Sequence, residues 1–417
     1  MNNIQNKIYI FKRELLAWVN RIAFYICRIF PVKKKLIAVC SFEGKGGFGC
    51  NPKYIVRELQ RRNNGFEFVW LVNDLQKEFP EYISKVPNTL WHRAYWLSRA
   101  RIWIDNYRTP YGTIKRSGQF YINVNHYTLS IKCTGLLRGE KFSTMAYKVS
   151  RNDSKTMDAL VIDSIWGELI SPRGLLFAGP YLKIGAPRCD ALNGEYVQNA
   201  RKYLRKKHGL AEDAKIVMYA PTFREEERDG KRSVFKAQSA LDFSRLLSNL
   251  TKRFGGTWHL CTRFHPQVAE QMLNVSSDLT MNNAFDESQA DDLYEILPGV
   301  DAYITDYSSA SFEACLARIP VFLYADDVKE YCTSRGGLMW DFLSTDRKHI
   351  TNNKALLPSL NIALPFTMAR NNDELEYDVL NFNSQVYSNN IKIFVNKLGV
   401  VFDGKASARL ADIIESL

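Results

Sequence analysis

Apolar positions in this chain recur with two different periods, and the alternation between them lays out its elements. Short runs rich in β-branched and aromatic residues predict strands: KKLIAVCSF from Lys34, FEFVWLV from Phe66, RIWIDN from Arg101, FYINVN from Phe120 and ALVIDS from Ala159. Between the first two, NPKYIVRELQRR (Asn51 to Arg62) has helical spacing. Around YLKIGAPRCDAL, from Tyr181, the pattern turns to a Gly/Pro-containing loop, and a basic helix, NARKYLRKKHGL, follows from Asn199. A second cycle then begins. AKIVMYAPTF, TWHLCTRFHP, VDAYITD and IPVFLYA read as strands, with helices near 241–254, near DDLYEIL and after Ser309. Strand–helix alternation implies a mostly parallel sheet, so the expectation is an α/β chain of two Rossmann-like halves facing a central cleft. Ligands in such sheets bind at the carboxyl ends of the strands.

The first thirty-five residues follow another rule. Charges break their apolar region and no small-residue cleavage site follows, so they do not read as a signal peptide. Arg21 and Arg28 also interrupt any span of about 20 apolar residues. Lys7, Glu14, Arg21 and Arg28 recur every seven residues on one helical face, while Trp18, Ile22, Phe24, Tyr25, Ile26, Ile29 and Phe30 fill much of the rest. Lys33, Lys34 and Lys35 come next. This reads as an amphipathic helix lying on an anionic leaflet, with a helix packed on its own domain as the alternative.

At 417 residues two domains are expected, and 46% hydrophobic with 24% charged residues describes a globular protein. The net charge of +12 favours polyanions, acidic membranes or phosphorylated substrates. Recognised RNA-binding aromatic motifs and a clustered basic recognition helix are missing, so nucleic acid is not expected as a partner. Eight scattered cysteines, without a CxxC pair, point to reduced thiols rather than disulfides or a zinc cluster.

The candidate chemistry gathers at strand ends. In ITDYSSASFEACLARIPVF, from Ile304, an apolar run ends on Asp306, and Ser308 and Ser309 precede a helix-like stretch. The residues suit helix capping, and they equally suit an anion held by orphan N–H groups and the helix dipole. Thr222 and Arg224 follow another strand, and Arg263 and His265 a third, where fixed charge and a titratable ring suit a diphosphate. His126 ends an apolar strand in the first half and could serve as a base or as a structural ring. GKGGFG, Gly44 to Gly49, fits GxGxxG literally, but Asp74 lies further on than a ribose-binding acid should and Pro52 sits late, so it reads as a flexible Gly-rich loop. His259, Cys261 and His265 alternate along one strand without a standard ligand grouping, so neither a metal site nor a cofactor is assigned. No Asp-x-Asp is present, which weakens a divalent-metal sugar transferase.

YAPTFRE, RFHP, ITDYSSASFEACLARIPVFLY, DDVKEYCTSRGG and LPFTMARNNDELEYDVLNF, in that order, resemble the CDP-glycerol/CDP-ribitol polyol-phosphate transferases of teichoic acid and capsule synthesis. NPKYIVREL and GAPRCDAL are similar to family segments as well, and the resemblance runs from about residue 36 to the C-terminus. It implies a GT-B fold, a CDP-polyol donor, release of CMP, a lipid-linked or polymeric glycan acceptor, and a peripheral position on the cytoplasmic side of the bacterial membrane. The implied division is 1–35 as membrane-associating helix, 36–190 as acceptor domain, 191–375 as donor domain and 376–417 as C-terminal helices. His126 falls where the family has the base of a Trp-His-Gly-Thr segment; Asn125 and Tyr127 replace Trp and Gly, while Thr128 and Lys132 remain. His265 matches the His-Pro histidine associated with the donor phosphates. Thr222, Arg224, Ser308 and Ser309 match positions near the diphosphate, and Asp306, Glu313, Tyr331 and Arg335 match too, without firm roles. Attack on the β-phosphorus needs positioning and charge neutralisation more than covalent catalysis. A GT-B glycosyltransferase using a nucleotide sugar is the alternative reading.

Overall fold

The computed structural model describes residues 3–127, 129–228, 231–235, 240–264 and 283–417. Seven parallel strands form the first sheet: β1 (Lys33–Cys40), β2 (Glu67–Val72), β3 (Ile83–Pro87), β4 (Ala100–Asp105), β5 (Phe120–Asn123), β6 (Ala159–Ile162) and β7 (Tyr181–Lys183). Their order is β3-β2-β1-β4-β5-β6-β7, so the strand order reverses between β1 and β4, where Cys40 lies beside Asp105. The second sheet is built from β8 (Lys215–Tyr219), β11 (Trp258–Thr262), β12 (Ala284–Asp286), β13 (Ala302–Thr305), β14 (Val321–Tyr324) and β15 (Thr367–Ala369). Its order, β12-β11-β8-β13-β14-β15, is again parallel and reverses between β8 and β13. The strand interiors are apolar on both faces, as expected when helices cover both. The mixed α/β character and the two parallel sheets agree with the apolar pattern.

Several segments differ from it. Ile83–Pro87 and Tyr181–Lys183 are strands, although they are short and mixed in polarity. DDLYEIL holds a 3₁₀ turn, Leu293–Glu295, and runs into a second, Leu297–Gly299, which contains Pro298. The charged stretch after Thr222, which has no apolar period, forms an antiparallel pair, β9 (Arg224–Arg228) with β10 (Lys231–Phe235). Asp229-Gly230 between the two runs is a hairpin signal that the charges obscured.

The N-terminal helix Asn3–Cys27 is present, and one face of it packs on the first half, as the packed-helix alternative expects. Ala17, Asn20, Ala23, Phe24 and Cys27 are buried, and Asn20 Nδ2 donates to Tyr111 O at 3.0 Å. The helix approaches so closely that a Cβ on Gly112 would lie 2.2 Å from Ala17 O. Three members of the sevenfold charge stripe turn toward the protein: Glu14 pairs with Lys148, Arg21 lies over the Tyr111 ring and Arg28 donates to Lys115 O. Ile4, Ile8, Phe11, Leu15, Trp18, Ile22, Tyr25 and Ile29 are left exposed. Among the described residues no helix is long and apolar enough to cross a membrane.

The two sheets are joined by buried contacts. The helix Cys50–Arg62 presents Lys53 and Tyr54 to Asp292, both at 2.9 Å, and Lys53 and Asp292 are each 2% exposed. Ser130 to Cys133 pairs with Gly337 to Trp340 through Met339 N to Ile131 O (2.8 Å) and Trp340 Nε1 to Ser130 O (3.0 Å). The helix Ser384–Leu398 buries Phe394 against Phe312 of the second half. The helix Ala406–Glu415 instead returns to the first half, placing Leu410, Ala411 and Ile414 in its core.

Candidate active site

At the reversal point of the second sheet, Asp306 follows β13 and Thr222 follows β8. Asp306 is 3% exposed and accepts from Thr222 N (2.8 Å), Thr222 Oγ1 (3.1 Å), Tyr307 N (2.6 Å) and Arg224 Nη1 (2.9 Å). Arg224 is held on its other edge by Asp327, with Nε to Oδ2 at 2.5 Å and Nη2 to Oδ1 at 2.9 Å. Its guanidinium lies over the stacked rings of Tyr307 and Tyr331, whose centroids are 3.8 Å apart. Burial disfavours the charge, but Asp306 and Asp327 outweigh it and raise the Arg224 pKa. The structure thus brings Thr222, Arg224 and Asp306 into one network. Asp327 and Tyr307 complete it. Arg335 adjoins this network, its guanidinium 6.0 Å from the Tyr331 ring.

Ser308 and Ser309 come next and are half-buried. Ser309 precedes the helix Ala310–Leu316 without capping it through its side chain, whereas Ser308 Oγ accepts from Ala310 N at 3.3 Å. Arg263 is turned to another task, donating to Glu287 O (2.6 Å) and Ala290 O (2.8 Å) and so fixing the loop after β12. Glu313 is wholly buried and pairs with Arg188, whose Nε lies 3.0 Å from Glu313 Oε1. His265 lies outside the described residues.

His126 comes from the first half, after β5. Asn125, at φ +50°, takes a left-handed conformation that asparagine tolerates, and its Oδ1 accepts from His126 N at 2.8 Å. The ring is set by Asn106: His126 Nδ1 lies 2.9 Å from Asn106 O. A carbonyl only accepts, so Nδ1 carries the proton and Nε2 presents a lone pair. Burial pushes the ring down to about 4; the Asn106 contact opposes this, and Arg188, Lys132 and Arg108 reinforce it. His126 is therefore neutral at pH 7, with the tautomer a base requires. Arg188 donates to His126 O at 2.6 Å and to Glu313, so one guanidinium links the histidine loop to the helix behind Ser308 and Ser309.

Sequence reasoning passed over Arg188, Asn106 and Asp327. Arg188 stood within GAPRCDAL, where only the family likeness drew attention to the segment. Asn106 acts through its backbone carbonyl, which any residue type would supply. Asp327 sat among other acidic residues and gave no signal of its own.

The two parallel sheets thus carry a neutral histidine at a strand end of one and a hydroxyl–carboxylate–guanidinium network at the reversal point of the other. Residues 22–416 match the CDP-glycerol:poly(glycerophosphate) glycerophosphotransferase family, and the chain belongs to that family. It is 28% identical over 404 residues to a teichoic acid poly(glycerol phosphate) polymerase of Staphylococcus epidermidis, covering 92% of this chain and 51% of that protein. The chain thus spans about half the length of that relative. A teichoic acid ribitol-phosphate polymerase of Staphylococcus aureus is 24% identical over 330 residues, covering 77% of this chain and 61% of its own length. The solved wall teichoic acid polymerase TagF superposes with a TM-score of 0.74 at 25% identity, over 98% of this chain and 97% of that one.

Proposed function

We propose that this protein transfers a polyol phosphate from a CDP-polyol to a hydroxyl of a teichoic-acid-like or capsular glycan acceptor and releases CMP. The observation that carries the reading is membership of the glycerophosphotransferase family across residues 22–416. The geometry then suggests roles. The donor diphosphate lies between the ends of β8, β11 and β13, near Ser308, Ser309, Thr222 and Arg335, and the family resemblance assigns His265 to the same phosphates. Arg224 and Asp306 position that site rather than contact the phosphates, because their polar atoms are engaged with each other and with Asp327 and Thr222. The acceptor hydroxyl sits at His126 Nε2, across a cleft between the halves in a GT-B arrangement. As the acceptor oxygen bonds to the β-phosphorus, its proton passes to Nε2 and the bond to the CMP oxygen breaks. Arg263 supports the site by holding the 287–290 loop, and Glu313 does so by charge-pairing Arg188.

The exposed apolar stripe of the N-terminal helix suits the inner leaflet of the cell membrane, with Lys33, Lys34 and Lys35 following it. Glu14, Arg21 and Arg28, charges that would oppose insertion, are engaged by the protein body. That position would bring the enzyme to a lipid-linked acceptor.

A donor panel tests the reaction. Incubation with CDP-glycerol, CDP-ribitol and several nucleotide sugars should release CMP from a CDP-polyol alone. Release of a nucleoside diphosphate from a nucleotide sugar would instead make it a glycosyltransferase.

A further inference from the structure

The Gly-rich loop Gly44 to Gly49 follows a turn that has no part in the reaction as described. Phe42 and Glu43, just after β1, both take left-handed backbone conformations, at φ +49° and +58°. For a bulky side chain such as phenylalanine that region is strained. Core burial does not offset the strain, because Phe42 is 38% exposed and Glu43 is exposed as well. Hydrogen bonds hold the turn instead: Phe42 N donates to Asn106 Oδ1 at 2.8 Å, and Glu43 O accepts from Asn88 Nδ2 at 2.9 Å and Asn73 Nδ2 at 3.3 Å. The loop then folds back so tightly that a Cβ on Gly46 would lie 2.9 Å from Phe42 Cδ2. Backbone strain persists only where the surroundings enforce it, and it gathers at functional sites.

What the strain secures is the place of one ring. Phe42 meets the His126 imidazole edge-on with centroids 5.5 Å apart, and Tyr107 and Tyr127 also pack on it, at 5.2 and 5.0 Å. Tyr107 and Tyr127 are half-buried, so Phe42 is the exposed member of the three. Asn106, wholly buried, serves both residues: its Oδ1 accepts from Phe42 N and its carbonyl oxygen accepts from His126 Nδ1. One asparagine therefore fixes the strained turn and the imidazole in a common frame. An imidazole tied at Nδ1 alone can still rock about that bond. Rings packed against it remove that freedom and keep water from it.

We propose that Phe42 is a positioning residue for the transfer reaction, held in strain so that its ring keeps the His126 imidazole aligned with the acceptor hydroxyl and apart from bulk water. The inference rests on the reading of His126 as the base given above. It also gives the Gly-rich loop a task, which is to close beneath an aromatic ring that buttresses the base.

The test uses the full chain, with CDP-glycerol and CDP-ribitol as donors and a soluble glycerol phosphate oligomer as acceptor. Phe42→Gly relieves the left-handed strain and removes the ring. Its melting temperature should hold or rise while turnover falls at least about tenfold and the donor KM changes little. Phe42→Leu should lose turnover as well, whereas Phe42→Tyr, which keeps a ring, should retain most of it. In a histidine-ring NMR titration of Phe42→Gly, the His126 inflection should move up from about 4, because water reaches the imidazole. It should stay below 6.5, because Arg188, Lys132 and Arg108 still disfavour the charge. Added to His126→Gln, Phe42→Gly should cost no further turnover, since a positioning residue acts only through the group it positions. Wild-type turnover with an unmoved titration in Phe42→Gly overturns the proposal. So does a folded Phe42→Tyr as slow as Phe42→Gly, or a turnover loss that only tracks a lowered melting temperature. An additive loss in the double variant overturns it too, by placing Phe42 on the substrate itself. If His126→Gln keeps its turnover while the Phe42→Gly titration moves, the base reading fails and the aromatic contact stands. If His126→Gln loses turnover and Phe42→Gly changes neither turnover nor titration, the positioning role alone fails.

Discussion

The imidazole of His126 gives its Nδ1 proton to the Asn106 carbonyl and keeps Nε2 as an acceptor, so its role is fixed by a backbone atom rather than by a second side chain. Burial holds its pKa near 4, below the ordinary value of about 6.5. Between those values the unfolded chain binds a proton here that the folded chain does not. The stability contribution of this ring is thus complete above about 6.5 and is lost as pH falls toward 4. A histidine-ring NMR titration, assigned with His126→Gln, should show an inflection near 4; one between 6 and 7 would refute the environment described. In the enzyme assay His126→Gln should lower turnover about 10²-fold or more while CDP binding changes little, because the proposed proton transfer is lost and the proposed donor site lies in the other half. Near-normal turnover would remove His126 as the base. Asp306 would be a poor replacement, since four donors already surround its carboxylate.

At the scale of single elements, the sequence was most readable where one period persisted. The strands with continuous apolar runs and the helix Cys50–Arg62 fall where their patterns put them. Ile83–Pro87 was missed because Ser84 and Lys85 interrupt it, and its strand character comes from pairing with β2, a neighbour the local pattern does not name. For the N-terminal helix the heptad stripe of charges was legible but its direction was not. Without Lys148, Tyr111 and Lys115 in view, the charges read as solvent-facing, and the structure turns Glu14, Arg21 and Arg28 inward. The outward stripe at Ile4, Ile8, Phe11, Leu15, Trp18, Ile22, Tyr25 and Ile29 suits either a lipid surface or a second helix. Its large aromatic residues favour the lipid. Replacing Trp18 and Ile22 by Glu should lower partitioning onto anionic vesicles at least about tenfold, since each apolar side chain is worth about 1.5–3 kcal/mol when buried. Both positions are exposed, so thermal stability should barely change. Unchanged vesicle binding, or loss of a dimer in vesicle-free sedimentation, would reassign the stripe to protein contact.

Across the whole molecule, the proposed base and the proposed donor site belong to separate sheets, and side chains far apart in sequence tie those sheets together. Lys53 and Asp292 are 239 residues apart, and Arg188 and Glu313 are 125 apart, so neither pair leaves a local pattern to read. Yet the second pair joins the loop of the proposed base to the helix beside the proposed donor site. Arg188 spans from the carbonyl of His126 to the helix that begins after Ser309, and it also passes over the Tyr294 ring at 4.8 Å. At 4% and 0% exposure neither partner has water to fall back on. Burial works against the Arg188 charge and Glu313 restores it, raising its pKa. Glu313→Leu alone therefore leaves an uncompensated guanidinium in the interior and should destabilise the fold by about 3–5 kcal/mol. Adding Arg188→Met removes that charge, and an apolar pair of similar volume should restore most of the stability, since a buried ion pair gains little over good packing. Turnover should not return with it, because the His126 carbonyl has lost its donor and the loop its link to the donor side. Melting temperature and turnover of the single and double variants separate these effects. A double variant that regains both would show the pair to be structural alone, whereas one that regains stability without turnover shows that it aligns the two halves for reaction.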